Sequence, residues 1–145
     1  MKIYVTKINE SWIIDRIKKE WIKNNKDITS SIPYLSQIIW NIAPWTTKTS
    51  FLKRFQNKKI IQSIYHIENE SIDSDEMIEI LNNDKYINGY HVISLRTKEI
   101  LKNITNKPIY YLPLWVNQNI WYFIDNKKNL RNKYGFNNED FLVGS

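Results

Sequence analysis

The apolar positions change period along the chain, and the changes mark out its elements. Lys2 to Thr6 is a short β-branched and aromatic run that predicts a strand almost at the first residue. From Glu10 to Asn25 the pattern lengthens: Ile13, Ile14, Ile17, Trp21 and Ile22 recur at helical spacing, while Asp15, Arg16, Lys18, Lys19 and Lys23 fall mostly on other faces. This predicts an amphipathic helix of about four turns, with Asn9 as its N-cap. Asp27 to Thr29 offers a short extended piece, and Ser30 to Ser36, with Pro33, reads as loop. Gln37 to Ala43 is an apolar strand that Pro44 and Trp45 stop, and Thr49 to Gln56 is a short helix.

Lys59 to Tyr65, with Ile60, Ile61 and Ile64, suits a buried strand ending at His66. Asp73 then caps a helix through Leu81, Gly89 to Ile93 is a strand, Ser94 caps a helix through Asn103, and Pro108 to Leu112 is a strand. Strands of about five residues alternating with longer helices require crossover connections, which are right-handed. The class this predicts is α/β, a Rossmann-like parallel sheet with helices on both faces. After Leu112 the rhythm breaks. Pro113 to Asp125 is aromatic without clean periodicity, Lys127 to Tyr134 is helical, Gly135 ends that helix, and Asp140 to Val143 opens another strand. The expected organisation is a Rossmann-like domain over residues 1–112, a hinge and helix over 113–139, and the start of a second domain at 140–145.

Composition changes this picture little. Hydrophobic residues make up 42% and charged residues 25% of 145 residues, which are ordinary globular values. Ile, Asn and Lys together form about two-fifths of the chain, a compositional bias that carries no chemistry of its own. The formal charge of +6 raises a polyanionic partner as a question. The stretch from His66 to Asp84 holds seven carboxylates and no Lys or Arg, so the rest is more basic than the total suggests. With no cysteine there are neither disulfides nor thiolate ligands, which fits a reducing compartment, and the expected location is cytoplasmic. No apolar run approaches the roughly 20 residues of a membrane-spanning helix. No G-x-G-x-x-G, G-x-S-x-G or H-E-x-x-H pattern occurs, so dinucleotide binding, a hydrolase elbow and a zincin site have no sequence support, and no metal or cofactor is expected.

Three segments carry a family resemblance. Leu112-Pro113-Leu114-Trp115-Val116-Asn117, Leu130-Arg131-Asn132-Lys133-Tyr134-Gly135 and Phe141-Leu142-Val143-Gly144-Ser145 together resemble the interdomain passage of family 4 glycosyltransferases. The opening from Lys2 to Trp12, the Ile38-Ile39-Trp40 strand with Ala43 and Trp45, the strand end at His66 and the Tyr90 to Thr97 segment resemble one subgroup of them. The resemblance implies a GT-B enzyme, in which two Rossmann-like domains face each other across a cleft. The first domain makes most acceptor contacts, and the second grips a nucleotide-sugar donor. Such enzymes transfer the sugar with retention and usually without a bound metal. The chain would then be the acceptor-side domain, inactive by itself, with its own C-terminal domain as one partner and a glycan or lipid-linked acceptor as another.

Candidate site residues follow from strand ends. His66 closes an apolar strand at the edge where open α/β sheets place ligands, and the resemblance aims it at the acceptor or the transferred sugar; it equally suits a histidine satisfied by loop backbone. His91, inside a strand, reads as a core histidine. Ser94 and Thr97 stand where a strand turns into a helix; Ser94 is most simply an N-cap, and the resemblance puts this corner in the cleft. Asn9 and Trp12 follow the first strand, Asn9 reading first as a cap and only then as a ligand contact. Trp45, after Pro44, has an apolar face that can stack on a sugar ring, or it packs under a loop. Trp115 and Trp121 read as hinge packing, and the carboxylates from Glu68 to Glu79 as a solvated face. The acceptor set the resemblance implies is therefore Asn9, Trp12, Trp45, His66, Ser94 and Thr97, with His66 the one catalytic candidate.

A different reading is a stand-alone basic module for nucleic acid or an anionic surface. Against nucleic acid stands the scatter of Lys and Arg over several elements. Peripheral contact of the basic and aromatic residues with a membrane would supplement the enzyme reading.

Overall fold

A computed structural model of the chain describes residues 1–7, 13–68, 71, 74–114, 127–137 and 139–140. Two compact units are present, Met1–Leu114 and Trp115–Ser145. The first is an α/β Rossmann-like unit built on a five-stranded, all-parallel sheet. Its strands are β1 (Ile3–Val5), β2 (Ile38–Asn41), β3 (Lys59–Ile64), β4 (Gly89–Val92) and β5 (Ile109–Tyr111), side by side in chain order. The helices between them are α1 (Ile13–Asn24), α2 (Thr49–Arg54), α3 (Asp75–Asp84) and α4 (Leu95–Lys102).

Alternation along each strand divides the core into two layers. Tyr4, Ile39, Ile60, Ile64, Tyr90 and Val92 face Leu52, Met77, Ile80 and Leu101 of α2, α3 and α4, together with Phe55 and Ile87. Val5, Ile42 and Ala43 lie with Ile14 and Ile17 of α1, flanked by Trp21, Trp40, Tyr65 and Leu114. The helices therefore cover both faces, α1 on one and the other three on the opposite one. The apolar stripe of α1 explains its side: Ile14 and Ile17 are 4% and 5% exposed, while Ile13, at the helix start, is 41% exposed.

The connections reverse direction once. Ile3 forms an isolated parallel bridge with Thr29, and its carbonyl accepts the Ser30 N–H at 2.8 Å. Lys2, one residue earlier, turns its carbonyl the other way, to Gln37 N–H at 2.9 Å, and Thr6 N–H reaches the Trp40 carbonyl at 3.0 Å. Because successive residues of a strand point their backbone groups to opposite edges, Thr29 and β2 flank β1 on opposite sides. The chain thus leaves β1 outward over α1, then returns past β1 and proceeds through β2 to β5 over helices on the other face. Crossovers that run in opposite directions on opposite faces share one hand, as the right-handed rule requires. The sheet is doubly wound, and its switch point lies between the carboxyl ends of β1 and β2.

Several local expectations are refined. Asp27 lies in a 3-10 turn over Lys26–Ile28 instead of an extended piece, and only Thr29 reaches the sheet. Ser74, and not Asp73, caps α3: its hydroxyl accepts the Met77 N–H at 3.3 Å, while Asp73 is outside the described residues. Ser94 caps α4 as expected, accepting the Thr97 N–H at 3.1 Å. The cap expected at Asn9, residues 115–125 of the aromatic stretch expected over 113–125, with Trp115 and Trp121, and residues 141–143 of the strand expected over 140–143 also lie outside the described residues. No helix among the described residues is long and apolar enough to cross a membrane.

In the second unit, α5 (Lys127–Lys133) ends in a Schellman motif. Gly135 adopts φ 76°, its N–H reaches the Asn132 carbonyl at 3.2 Å, and Phe136 N–H reaches the Arg131 carbonyl at 2.9 Å. Glycine is the residue that takes this left-handed conformation without strain.

Candidate functional site

Parallel strands put all their carboxyl ends on one edge of the sheet, so the residues that follow β1 to β4 share that edge. After β2, Pro44–Thr46 forms a 3-10 turn that leaves Trp45 49% exposed. Its ring meets Tyr65 edge-on, 6.0 Å between centroids. Trp45 also walls a small cleft of about 150 Å³ formed by the turn after β2, by β3 and by α3, with Gln62, Ile64, Glu76, Glu79 and Ile80. Tyr65 is pinned by a hydrogen bond from its hydroxyl to the Ile42 carbonyl at 3.0 Å, and burial pushes its phenol up to about 12.

His66 follows Tyr65 with an exposed imidazole, and its Nε2 lies 3.3 Å from Glu68 Oε1. Both side chains are well solvated, so the pair is screened and holds the ring only loosely. Glu68 N–H donates to Glu76 Oε2 at 3.1 Å, which ties this loop to the start of α3 and to a wall of the Trp45 cleft. Ser94 and Thr97 stand after β4. Their hydroxyls are 2.9 Å apart, and Thr97 is 2% exposed, so Thr97 offers no free face there. The structure therefore brings Trp45 and the His66 loop to neighbouring strand ends, and it joins Ser94 to Thr97 in one cap. His66, Ser94 and Thr97 are not among the residues lining the Trp45 cleft. Asn9 and Trp12 lie outside the described residues.

The larger cleft on this edge opens at the switch point, with a volume of about 340 Å³. Its floor is Tyr4 and Thr6 from the end of β1. One rim is Lys7, and the other is the segment from Thr46 to Arg54, contributing Thr46, Thr47, Lys48, Ser50, Phe51 and Arg54. Beneath it runs a buried polar ladder across three strands. Asn41 Oδ1 accepts from Thr47 Oγ1 at 2.7 Å and from Thr6 Oγ1 at 3.3 Å, and Asn41 Nδ2 donates to Gln62 Oε1 at 3.0 Å. Asn41 and Gln62 are register partners, 0% and 2% exposed. A satisfied buried network of this kind fixes the rotamers of the groups above it.

Lys18 approaches from α1 and donates to the Thr6 carbonyl at 2.8 Å. Burial lowers its pKa, Asp15 opposes that shift, and the nearby charge of Lys7 lowers it further. Sequence reasoning assigned no role to Lys7, Lys48 or Arg54. Lys48, just before α2, and Arg54, at its end, read as ordinary solvated residues until the sheet reversal places them over β1.

On the opposite face of the sheet, His91 is buried as expected, and burial lowers its pKa while a hydrogen bond to the Leu112 carbonyl works against that. No group of three His, Cys, Asp or Glu among the described residues is placed to hold a metal ion. No protein-family model, no curated protein and no solved structure matches this chain.

Proposed function

We propose that this chain serves as the acceptor-side domain of a retaining, metal-independent GT-B glycosyltransferase. With a donor-binding partner domain it moves a sugar from a nucleotide sugar to a glycan or lipid-linked acceptor. The observation that carries this reading is the doubly wound parallel sheet with Trp45 and His66 at adjacent carboxyl strand ends. That edge is where Rossmann-like sheets gather their ligands. In this role Trp45 offers an exposed aromatic face to a pyranose ring. His66 offers a solvated imidazole that accepts or donates a hydrogen bond to a sugar hydroxyl. Ser94 orders the neighbouring helix start. The resemblance of the segments around Leu112 and Leu130 to a glycosyltransferase interdomain passage supports the same assignment.

Saturation-transfer NMR on the chain tests it, with monosaccharides and UDP-glucose as probes. The expected result is transfer to a monosaccharide that weakens in Trp45→Ala and His66→Ala, with little transfer to UDP-glucose. Sugar signals that stay silent with the folded chain, or that both variants leave unchanged, would sink the assignment. The charge of +6 favours a second reading, a binding module for an anionic macromolecule. Binding to a single-stranded oligonucleotide that collapses steeply with added salt, in a chain deaf to sugars, would select it.

A further inference from the structure

We propose that the cleft at the β1–β2 switch point binds a phosphate-bearing small molecule, its phosphate held by Lys7, Lys48 and Arg54 and its organic body lying against Phe51. The site is separate from the residues assigned to sugar above, and it stands whether or not the parent protein transfers sugar.

The lining decides the ligand's chemistry. Among the described residues, three cationic side chains and no carboxylate line the cleft. The threonine hydroxyls turn inward: Thr6 and Thr47 donate to Asn41 Oδ1, and Thr46 donates to the Ala43 carbonyl at 2.9 Å. What the described side chains of the cleft present to a guest is therefore two ammonium groups, one guanidinium and the hydroxyls of Ser50 and Tyr4. A guest that meets donors and positive charge must bring acceptor oxygens and negative charge. Phosphate supplies both, and the arginine fork matches two of its oxygens at once. Among the described residues, Lys7, Lys48 and Arg54 form no ion pair, so no described carboxylate neutralises their charges. Burial lowers the Lys18 pKa, and the charge of Lys7 alone among the three lowers it further, so Lys7 already stands in a repulsive field. An anion in the cleft relieves that repulsion.

Position and size agree with the chemistry. The cleft lies at the reversal of the sheet, where doubly wound folds bind ligands. Its volume of about 340 Å³ is at the small end of ligand clefts, enough for a phosphorylated ring. Phe51 supplies an aromatic wall, held by Tyr4 at 6.4 Å and Phe55 at 4.8 Å between ring centroids. A soluble sugar phosphate and the phosphorylated headgroup of a lipid share this chemistry.

Calorimetric titration of the whole chain at low salt, with glucose 6-phosphate, inorganic phosphate and glucose, tests the proposal. The phosphates are expected to bind and glucose to fail. Lys48→Gln and Arg54→Gln should each weaken binding about tenfold. Lys53→Gln, exposed on the same helix but outside the lining, should leave it unchanged. All three positions are exposed, so the variants keep the fold, as a circular-dichroism melt would verify. Flotation with phosphatidylcholine vesicles, with and without phosphatidylinositol phosphate, separates the two sources. Capture that needs the phosphorylated lipid and is lost in Arg54→Gln assigns the headgroup; phosphate binding in solution without capture assigns a soluble metabolite. The proposal is overturned if neither phosphate binds, if Lys48→Gln and Arg54→Gln bind as tightly as the parent, or if an oligonucleotide binds where glucose 6-phosphate does not.

Discussion

Ser63 Oγ lies 2.9 Å from His91 Nδ1 across the register pair that joins β3 to β4, and the partners on either side fix where the protons are. His91 Nε2 is 2.9 Å from the Leu112 carbonyl, which can only accept, so Nε2 carries the ring proton. Nδ1 therefore accepts, and the Ser63 hydroxyl donates to it. Ser63 Oγ in turn accepts the Trp40 indole N–H at 2.9 Å. The relay from Trp40 through Ser63 and His91 to Leu112 has every donor matched to an acceptor. It spans β2, β3 and β4 and then ties down the chain where it leaves β5.

Ser63→Ala breaks this relay in two places at once. It strips the Trp40 N–H of its acceptor and His91 Nδ1 of its donor, at a site where Ser63 is 0% exposed. Unsatisfied buried polar groups cost about 1–3 kcal/mol. Urea denaturation of the variant should show a lowered midpoint with an unchanged slope. An unchanged midpoint would mean that the relay contributes nothing net to stability.

The same relay sets a pH dependence. Burial holds the His91 pKa below its ordinary value of 6.5, more than the Leu112 carbonyl restores. The unfolded chain therefore takes up a proton at higher pH than the folded one. The stability that comes from keeping His91 neutral is fully present above about pH 6.5, and it is lost as pH falls from there through the folded-state pKa. Chemical denaturation at pH 7.5 and at pH 5 should reveal this loss in the parent chain. It should be smaller in His91→Gln, which cannot titrate; equal losses in both would assign the effect to other groups.

Much of this fold can be read from the sequence because its signals repeat. The helical recurrence of Ile13, Ile14, Ile17, Trp21 and Ile22 and the isoleucines of β3 each send one periodic message over several residues. The strand ends that carry Trp45, His66 and Ser94 were legible for the same reason, since parallel strands share one carboxyl edge. The switch point was not. It depends on the edge of β1 that Thr29 joins, and a one-residue bridge after a 3-10 turn has no periodicity to detect. Lys48 and Arg54 were invisible as site residues because, just before α2 and at its end, they look like any solvated positions. Only the reversal sets them over Thr6 and beside Lys7.

Gly89 begins β4 at a point where β3 and β5 both press close. A Cβ there would lie 3.1 Å from the Pro108 carbonyl oxygen, 3.1 Å from Tyr110 Cε2 and 3.4 Å from Ile61 Cδ1. The tyrosine can shift, but the carbonyl is backbone that accepts the Tyr90 N–H at 2.9 Å. Gly89→Ala must therefore push β4 away from β5 or lengthen that bond. Overpacking of this kind costs about 1–3 kcal/mol. Thermal unfolding should show a lowered midpoint, and amide exchange at Tyr90 should accelerate. Protection at Tyr90 equal to the parent's would show that the side chains absorb the added methyl alone.

Ser94 allows its capping role to be separated from a role at the candidate site, because the two respond differently to one pair of substitutions. Its hydroxyl accepts the Thr97 N–H at 3.1 Å and meets the Thr97 hydroxyl at 2.9 Å, at the start of an eight-residue helix. Ser94→Ala removes the cap and should cost about 0.5–2 kcal/mol of stability. Ser94→Asp replaces the acceptor and places a negative charge at the positive end of the helix, so it should restore most of that loss. If Ser94 only caps, sugar binding measured by saturation-transfer NMR should follow stability, weak or unchanged in Ser94→Ala and recovered in Ser94→Asp. If the hydroxyl also touches the acceptor, Ser94→Asp should recover stability without recovering the sugar signal, because a carboxylate cannot donate the hydrogen bond that a hydroxyl can. Recovery of both by Ser94→Asp would remove Ser94 from the acceptor contacts and leave it a positioning residue for α4.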